Sequence, residues 1–175
     1  MLRNRSFLAL TVAGLLLFGS ACGFQPMYAR DSGETAKVDV SSNLQSIFIP
    51  VARGRIEQLV YNNLRDLMNP LGVPKQPRYR LDYSVAIIKQ PVAVAKDETA
   101  TRLNVRVSVT FSLKDLHDNE VAFNGTARAL AAYNVLRSQY ATLAGKQNAE
   151  DRAVREVSDE IRLRIAAFFS GTTES

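Results

Sequence analysis

The chain has 175 residues, 46% of them hydrophobic and 22% charged, which is enough for one compact domain with a core of its own. Its net charge of +5 suits a polyanion or an anionic membrane surface, but it falls short of the dense basic patch of a nucleic-acid binder, so nucleic acid is not expected as a partner. A single cysteine excludes an intramolecular disulfide, and beyond the first stretch of the chain no apolar run approaches the roughly 20 residues of a membrane-spanning helix.

Arg3 and Arg5 precede an apolar stretch from Phe7 to Phe18, and the small residues Gly19, Ser20 and Ala21 stand directly before Cys22. This is the pattern of an export signal with a thiol at its cut site. The expectation is a lipoprotein signal peptide over 1–21 and a mature chain that starts at Cys22. The thiol then carries a diacylglycerol, and the freed amine an acyl chain such as palmitate. Each buried methylene contributes about 0.8 kcal/mol, and two or more chains make stable an anchor that one leaves marginal. Gly19 departs from the leucine usual three positions before such a cysteine, and a plain secretory signal followed by a free thiol is the alternative reading. Gly23, where an aspartate commonly signals inner-membrane retention, points to outer-membrane sorting. Loss of Arg3 and Arg5 leaves 20 basic and 17 acidic side chains, a net +3.

From Gln25 to Asn43 the sequence is polar and small and lacks sustained periodicity, so residues 22–43 read as a lipidated flexible tether ahead of a single domain over 44–175. Leu44, Ile47, Phe48 and Ile49 predict a first strand that Pro50 stops. Ile56, Leu59, Val60, Leu64, Leu67 and Met68 recur at helical spacing, with Gly54 as a cap and Asn69-Pro70 as the end. From Arg78 the period becomes two: Tyr79, Leu81, Tyr83, Val85 and Ile87 take one face and Arg78, Arg80, Asp82 and Ser84 the other. Past Pro91 the chain either continues through a bulge or forms an edge segment, and a turn is expected at Lys96 to Glu98.

The clearest strand places Leu103, Val105, Val107, Val109, Phe111 and Leu113 on one face and Arg102 to Lys114 on the other. Asp118 and Asn119 favour a reversal into Val121, Phe123, Gly125, Ala127, Ala129 and Ala131. A last helix, capped by Asn148 after a loop around Gly145, has Ala153, Val157, Ile161, Ile165 and Phe168 as its seam. On its wet side Asp151–Arg155, Arg152–Glu156 and Glu160–Arg164 are candidate ion pairs, and Gly171 ends it. The order strand-helix-strand-strand-strand-helix predicts an α+β fold: a four-stranded, mostly antiparallel sheet with two helices on one face.

Catalytic constellations are not evident. His117 falls in the Asp115 to Asn119 turn, and no phosphate loop, nucleophile elbow or metal-ligand spacing is present, so neither an enzyme nor a cofactor or metal site is expected. What remains is a polar sheet face carrying Arg78 and Arg80 on one strand, Arg102, Arg106 and Lys114 on the next and Arg128 on the last. Such guanidinium groups suit phosphates and carboxylates, while the same pattern also fits an ordinary solvated sheet face.

The CGFQPMY motif from Cys22 to Tyr28, the NLRDLMNP helix end and the element order together make the chain resemble the LPS-assembly lipoprotein family LptE. The resemblance implies an outer-membrane lipoprotein at the periplasmic face that plugs and stabilises the LptD β-barrel and assists lipopolysaccharide assembly. It also implies lipopolysaccharide binding through basic residues, for which the face and charge of this chain offer Arg80, Arg102, Arg106 and Arg128. An auxiliary lipoprotein of a lipid ABC transporter is the other function that fits an anchor and a small sheet-and-helix body.

Overall fold

The computed structural model describes residues 40–94 and 101–171. In chain order the elements are α1 (Val40–Gln45), β1 (Ile47–Phe48), α2 (Arg55–Met68), β2 (Tyr79–Val94), β3 (Thr101–Asp115), β4 (Val121–Val135) and α3 (Gln139–Phe169). The sheet order is β1-β2-β3-β4, with β1 parallel to β2 across the α2 crossover and the other neighbours antiparallel. The α+β fold with its mostly antiparallel sheet is as expected. Cys22, the 1–21 leader, most of the tether and the turn expected at Lys96 to Glu98 lie outside the described residues.

Alternation along the strands builds a core on one side of the sheet. Val105, Val107, Val109, Phe111 and Leu113 of β3 are fully or almost fully buried, as are Leu81 of β2 and Ala127 of β4. The buried positions of β4 are small (Ala127, Ala129 and Ala131), which lets α3 lie close with Ala149, Ala153, Val157 and Ile161 turned inward. Gly125 extends the same logic: a Cβ there would stand 3.0 Å from the Phe111 ring. Phe111, Phe123, Phe168, Phe169 and Tyr79 follow one another at centroid distances of 5.1 to 5.9 Å and close that end of the core.

Helix ends follow from local chemistry. Gly54 caps α2 at φ 105°, a backbone conformation that side chains resist, and a Cβ there would also strike the Glu57 carboxylate. The Ser138 side chain accepts from Ala141 N and starts α3. At Gly171, φ 73° lets the chain leave the end of α3. Across the two helices, Arg55 donates to the buried Glu150 at 2.6 Å. Ser158 is fully buried with no partner for its hydroxyl among the described residues.

Several boundaries differ from the sequence reading. Leu44 belongs to α1 rather than to a strand, and β1 is only two residues long. Helix α1 also begins inside the span read as tether. Helix α3 starts nine residues ahead of Asn148 and includes Gly145, because the Ser138 cap and packing beside β4 carry the helix through a stretch of weak apolar periodicity. At Pro91, by contrast, the first of the two expected alternatives holds: strand β2 continues past it through a bulge, with the register shift falling between Pro91 and Ala93. Of the charge pairs expected on α3, Glu160–Arg164 forms. Asp151 instead faces Arg55 at 3.5 Å, and Arg152 donates to the Ala132 carbonyl, since these tertiary partners lie within reach.

Candidate functional site

The face of the sheet away from the buried core carries the even-numbered residues of β2, β3 and β4, and the register sorts them into rows. One end holds Arg102 beside Asn134. Two rows further, Arg106 stands between Ile88 and Leu130, and the next row aligns Ala86, Ser108 and Arg128. Then come Ser84, Thr110 and Thr126, followed by Asp82, Ser112 and Asn124. Arg80 and Lys114 pair near the far end.

This register divides the basic residues singled out by sequence. Arg80 Nε donates to Asp82 Oδ1 at 2.8 Å, and Lys114 Nζ approaches Asp82 Oδ2 at 3.3 Å, so one carboxylate engages both cations. Burial alone would raise the Asp82 carboxyl, but hydrogen bonds from Arg80 and Lys114, together with their charges, hold it below the usual carboxylate range. Arg78 lies 3.7 Å from Asp115 and over the Tyr79 ring at 5.2 Å. Arg102, Arg106 and Arg128 form no ion pair with any described residue.

Arg106 and Arg128 are diagonal neighbours across β3 and β4, about 7–8 Å apart at the backbone, which two long side chains easily bridge. Arg80 stands eight strand positions away from the Arg106 row, about 27 Å at the usual rise. One small anion can therefore meet Arg106 and Arg128 together but not Arg80. Fork-like guanidinium groups favour phosphate and carboxylate oxygens, and the three unpaired arginines are the stronger cation cluster of this face.

Two neighbours of that cluster had no place in the sequence reading of the site. Ile88 and Leu130 flank Arg106 and are 47% and 51% exposed. Their signal was legible: each is a large aliphatic at an even position of a strand whose odd positions build the core. A cation bracketed by exposed aliphatic side chains presents the mixed contact that an anionic amphiphile requires. His117 is exposed in the turn after β3, where its backbone N–H donates to Asp115 Oδ1. Among the described residues no group of His, Cys, Asp or Glu side chains is placed to hold a metal, and no helix is long and apolar enough to cross a membrane.

Residues 44–165 match the family LptE, described as lipopolysaccharide-assembly. Among solved structures, the chain is similar to a candidate lipoprotein from Caulobacter crescentus CB15, with 26% identity and a TM-score of 0.64 over 77% of this chain and 98% of that one. A minor lipoprotein from Acinetobacter baumannii shares the fold, with 17% identity and a TM-score of 0.54 over 69% of this chain and 88% of that one. No curated protein matches the chain significantly in sequence.

Proposed function

The chain belongs to the lipopolysaccharide-assembly family LptE, and from that membership we propose that it works as a non-enzymatic, lipid-anchored component of lipopolysaccharide assembly at the periplasmic face of the outer membrane. In this reading Cys22 carries the anchor, a large LptD-type β-barrel is the stable partner, and the open sheet face holds lipopolysaccharide. The small-residue cut site before Cys22 supports the anchor, as does the description of both structural relatives as lipoproteins.

The observation that carries the ligand assignment is the set Arg102, Arg106 and Arg128, whose guanidinium groups form no ion pair with a described carboxylate and which has Ile88 and Leu130 beside it. Lipid A phosphates would meet the guanidinium groups while the flanking aliphatics lie against acyl or apolar parts of the same molecule. Arg80, engaged by Asp82, is assigned to the far end of the face and to a lesser role.

Arg102→Glu combined with Arg106→Glu tests this. Lipopolysaccharide affinity should fall at least about tenfold, since a charge-assisted contact contributes about 1.5–3 kcal/mol, while co-purification with the barrel stays near the wild-type level. Unchanged lipopolysaccharide affinity would remove the arginine site. Recovery of the tagged wild-type protein without any barrel, in mild detergent, would remove the partner.

A further inference from the structure

Next to the arginine cluster the same face changes character. Ser84, Thr110 and Thr126 form one row and Asp82, Ser112 and Asn124 the next, and together with apolar surface from Val121, Tyr83 and Phe111 they line an open groove of about 580 Å³. Apart from Asp82 these side chains are neutral hydroxyls and an amide. Thr110 and Thr126 touch through their hydroxyl oxygens at 3.2 Å, and Ser84, Ser112 and Asn124 make no side-chain hydrogen bond with any described residue. The groove thus offers several uncommitted donors and acceptors on paired strands, beside apolar surface and a carboxylate already engaged by Arg80 and Lys114.

We infer that this groove is a saccharide subsite that takes the core sugars of the glycolipid whose phosphates meet Arg106 and Arg128. The inference rests on the reading of the open face as a lipopolysaccharide site and adds a direction to it. Between Arg102 at one end and Arg80 with Lys114 at the other, the face runs from aliphatic and cationic, at Ile88, Leu130 and Arg106, through Arg128, to hydroxyl and amide. The two ends of this run, the Arg106 row and the Asp82 row, are six strand positions apart, about 20 Å. An amphiphile that is apolar, then anionic, then polyhydroxylated along its length has the same order. Neutral hydroxyl and amide groups match sugar hydroxyls, which both donate and accept, and the charges at the far rim of the groove are already committed to one another, Asp82 to Arg80 and Lys114.

The test compares three probes on the full-length chain: lipopolysaccharide bearing the core oligosaccharide, lipid A without it, and the delipidated core oligosaccharide. Wild type is expected to bind the core-bearing form several-fold more tightly than lipid A and to bind the free oligosaccharide weakly. Thr110→Val with Thr126→Val keeps strand-forming side chains of the same shape, and Ser112→Ala gives an independent second variant. Each should lower affinity for core-bearing lipopolysaccharide about fivefold, the equivalent of one neutral hydrogen bond, with lipid A affinity unchanged. Equal wild-type affinity for lipid A and the core-bearing form, with neither variant having an effect, overturns the saccharide subsite and leaves the arginine site standing. Wild type that binds neither lipid overturns both.

Discussion

Tyr83 shows how a single side chain ties the face to the helices behind it. Its ring packs against the core from β2 and its hydroxyl reaches the Glu57 carbonyl of α2 at 3.5 Å. Burial, with smaller contributions from Tyr61 and Glu57, pushes its phenol from 10.0 up to about 12. An acid with a raised pKa is favoured neutral in the folded state, so the unfolded chain binds fewer protons between those two values. Stability must then fall as pH rises from 10 and level off near 12. Chemical denaturation across that interval should show a steeper decline for wild type than for Tyr83→Phe. Parallel profiles would mean that the Tyr83 hydroxyl is not held in a less favourable environment for its charged form.

At the scale of elements, the outer edge of β4 is guarded by α3. The Thr126 carbonyl accepts from Arg164, the Arg128 N–H donates to Glu160, and the Ala132 carbonyl accepts from Arg152, each at 3.1 Å. Glu160 and Arg164 also pair with each other, so each steadies the geometry of the other. An edge strand of fifteen residues with free main-chain groups is a template for pairing with another chain, and these side chains occupy part of it. Replacing Glu160, Arg164 and Arg152 together by Ala should cost about 1–2 kcal/mol, because the contacts are largely exposed, and should produce concentration-dependent self-association in sedimentation. A triple variant as stable and as monomeric as wild type would show that the edge needs no guard.

This element scale is also where sequence and structure part most. The strict alternation of β3 from Leu103 to Leu113 was legible because the side-chain period of a strand is two and its buried set is uniformly large and apolar. The first turns of α3 were not, since Tyr140 and Leu143 are exposed and Gly145 reads as a breaker when packing against Tyr133 and the Ser138 cap are unseen. Helix α1 escaped for a similar reason: Leu44 is its one buried residue, and in sequence it merges with Ile47, Phe48 and Ile49.

For the whole molecule, size and register decide what each face can do. Helix α3, with 31 residues, is about 46 Å long and runs nearly the length of the strands, whereas the 14 residues of α2 span about 21 Å. The two helices occupy the core side and leave the other side open from Arg102 to Arg80. That this face is basic was readable from alternate positions. How its charge is distributed was not, because it depends on which strand positions align: Asp82 falls between Arg80 and Lys114, while the guanidinium groups of Arg106 and Arg128 form no ion pair with a described carboxylate.

Whether lipopolysaccharide lies on this open face can be read out with a photo-crosslinking residue placed at single positions in cells. A probe at Leu130, beside Arg106 and Arg128, should form an adduct with lipopolysaccharide, and a probe at Leu163, equally exposed on α3, should not. An adduct from Leu163 with none from Leu130 would place the ligand on the helical side and rule out the open face as its site.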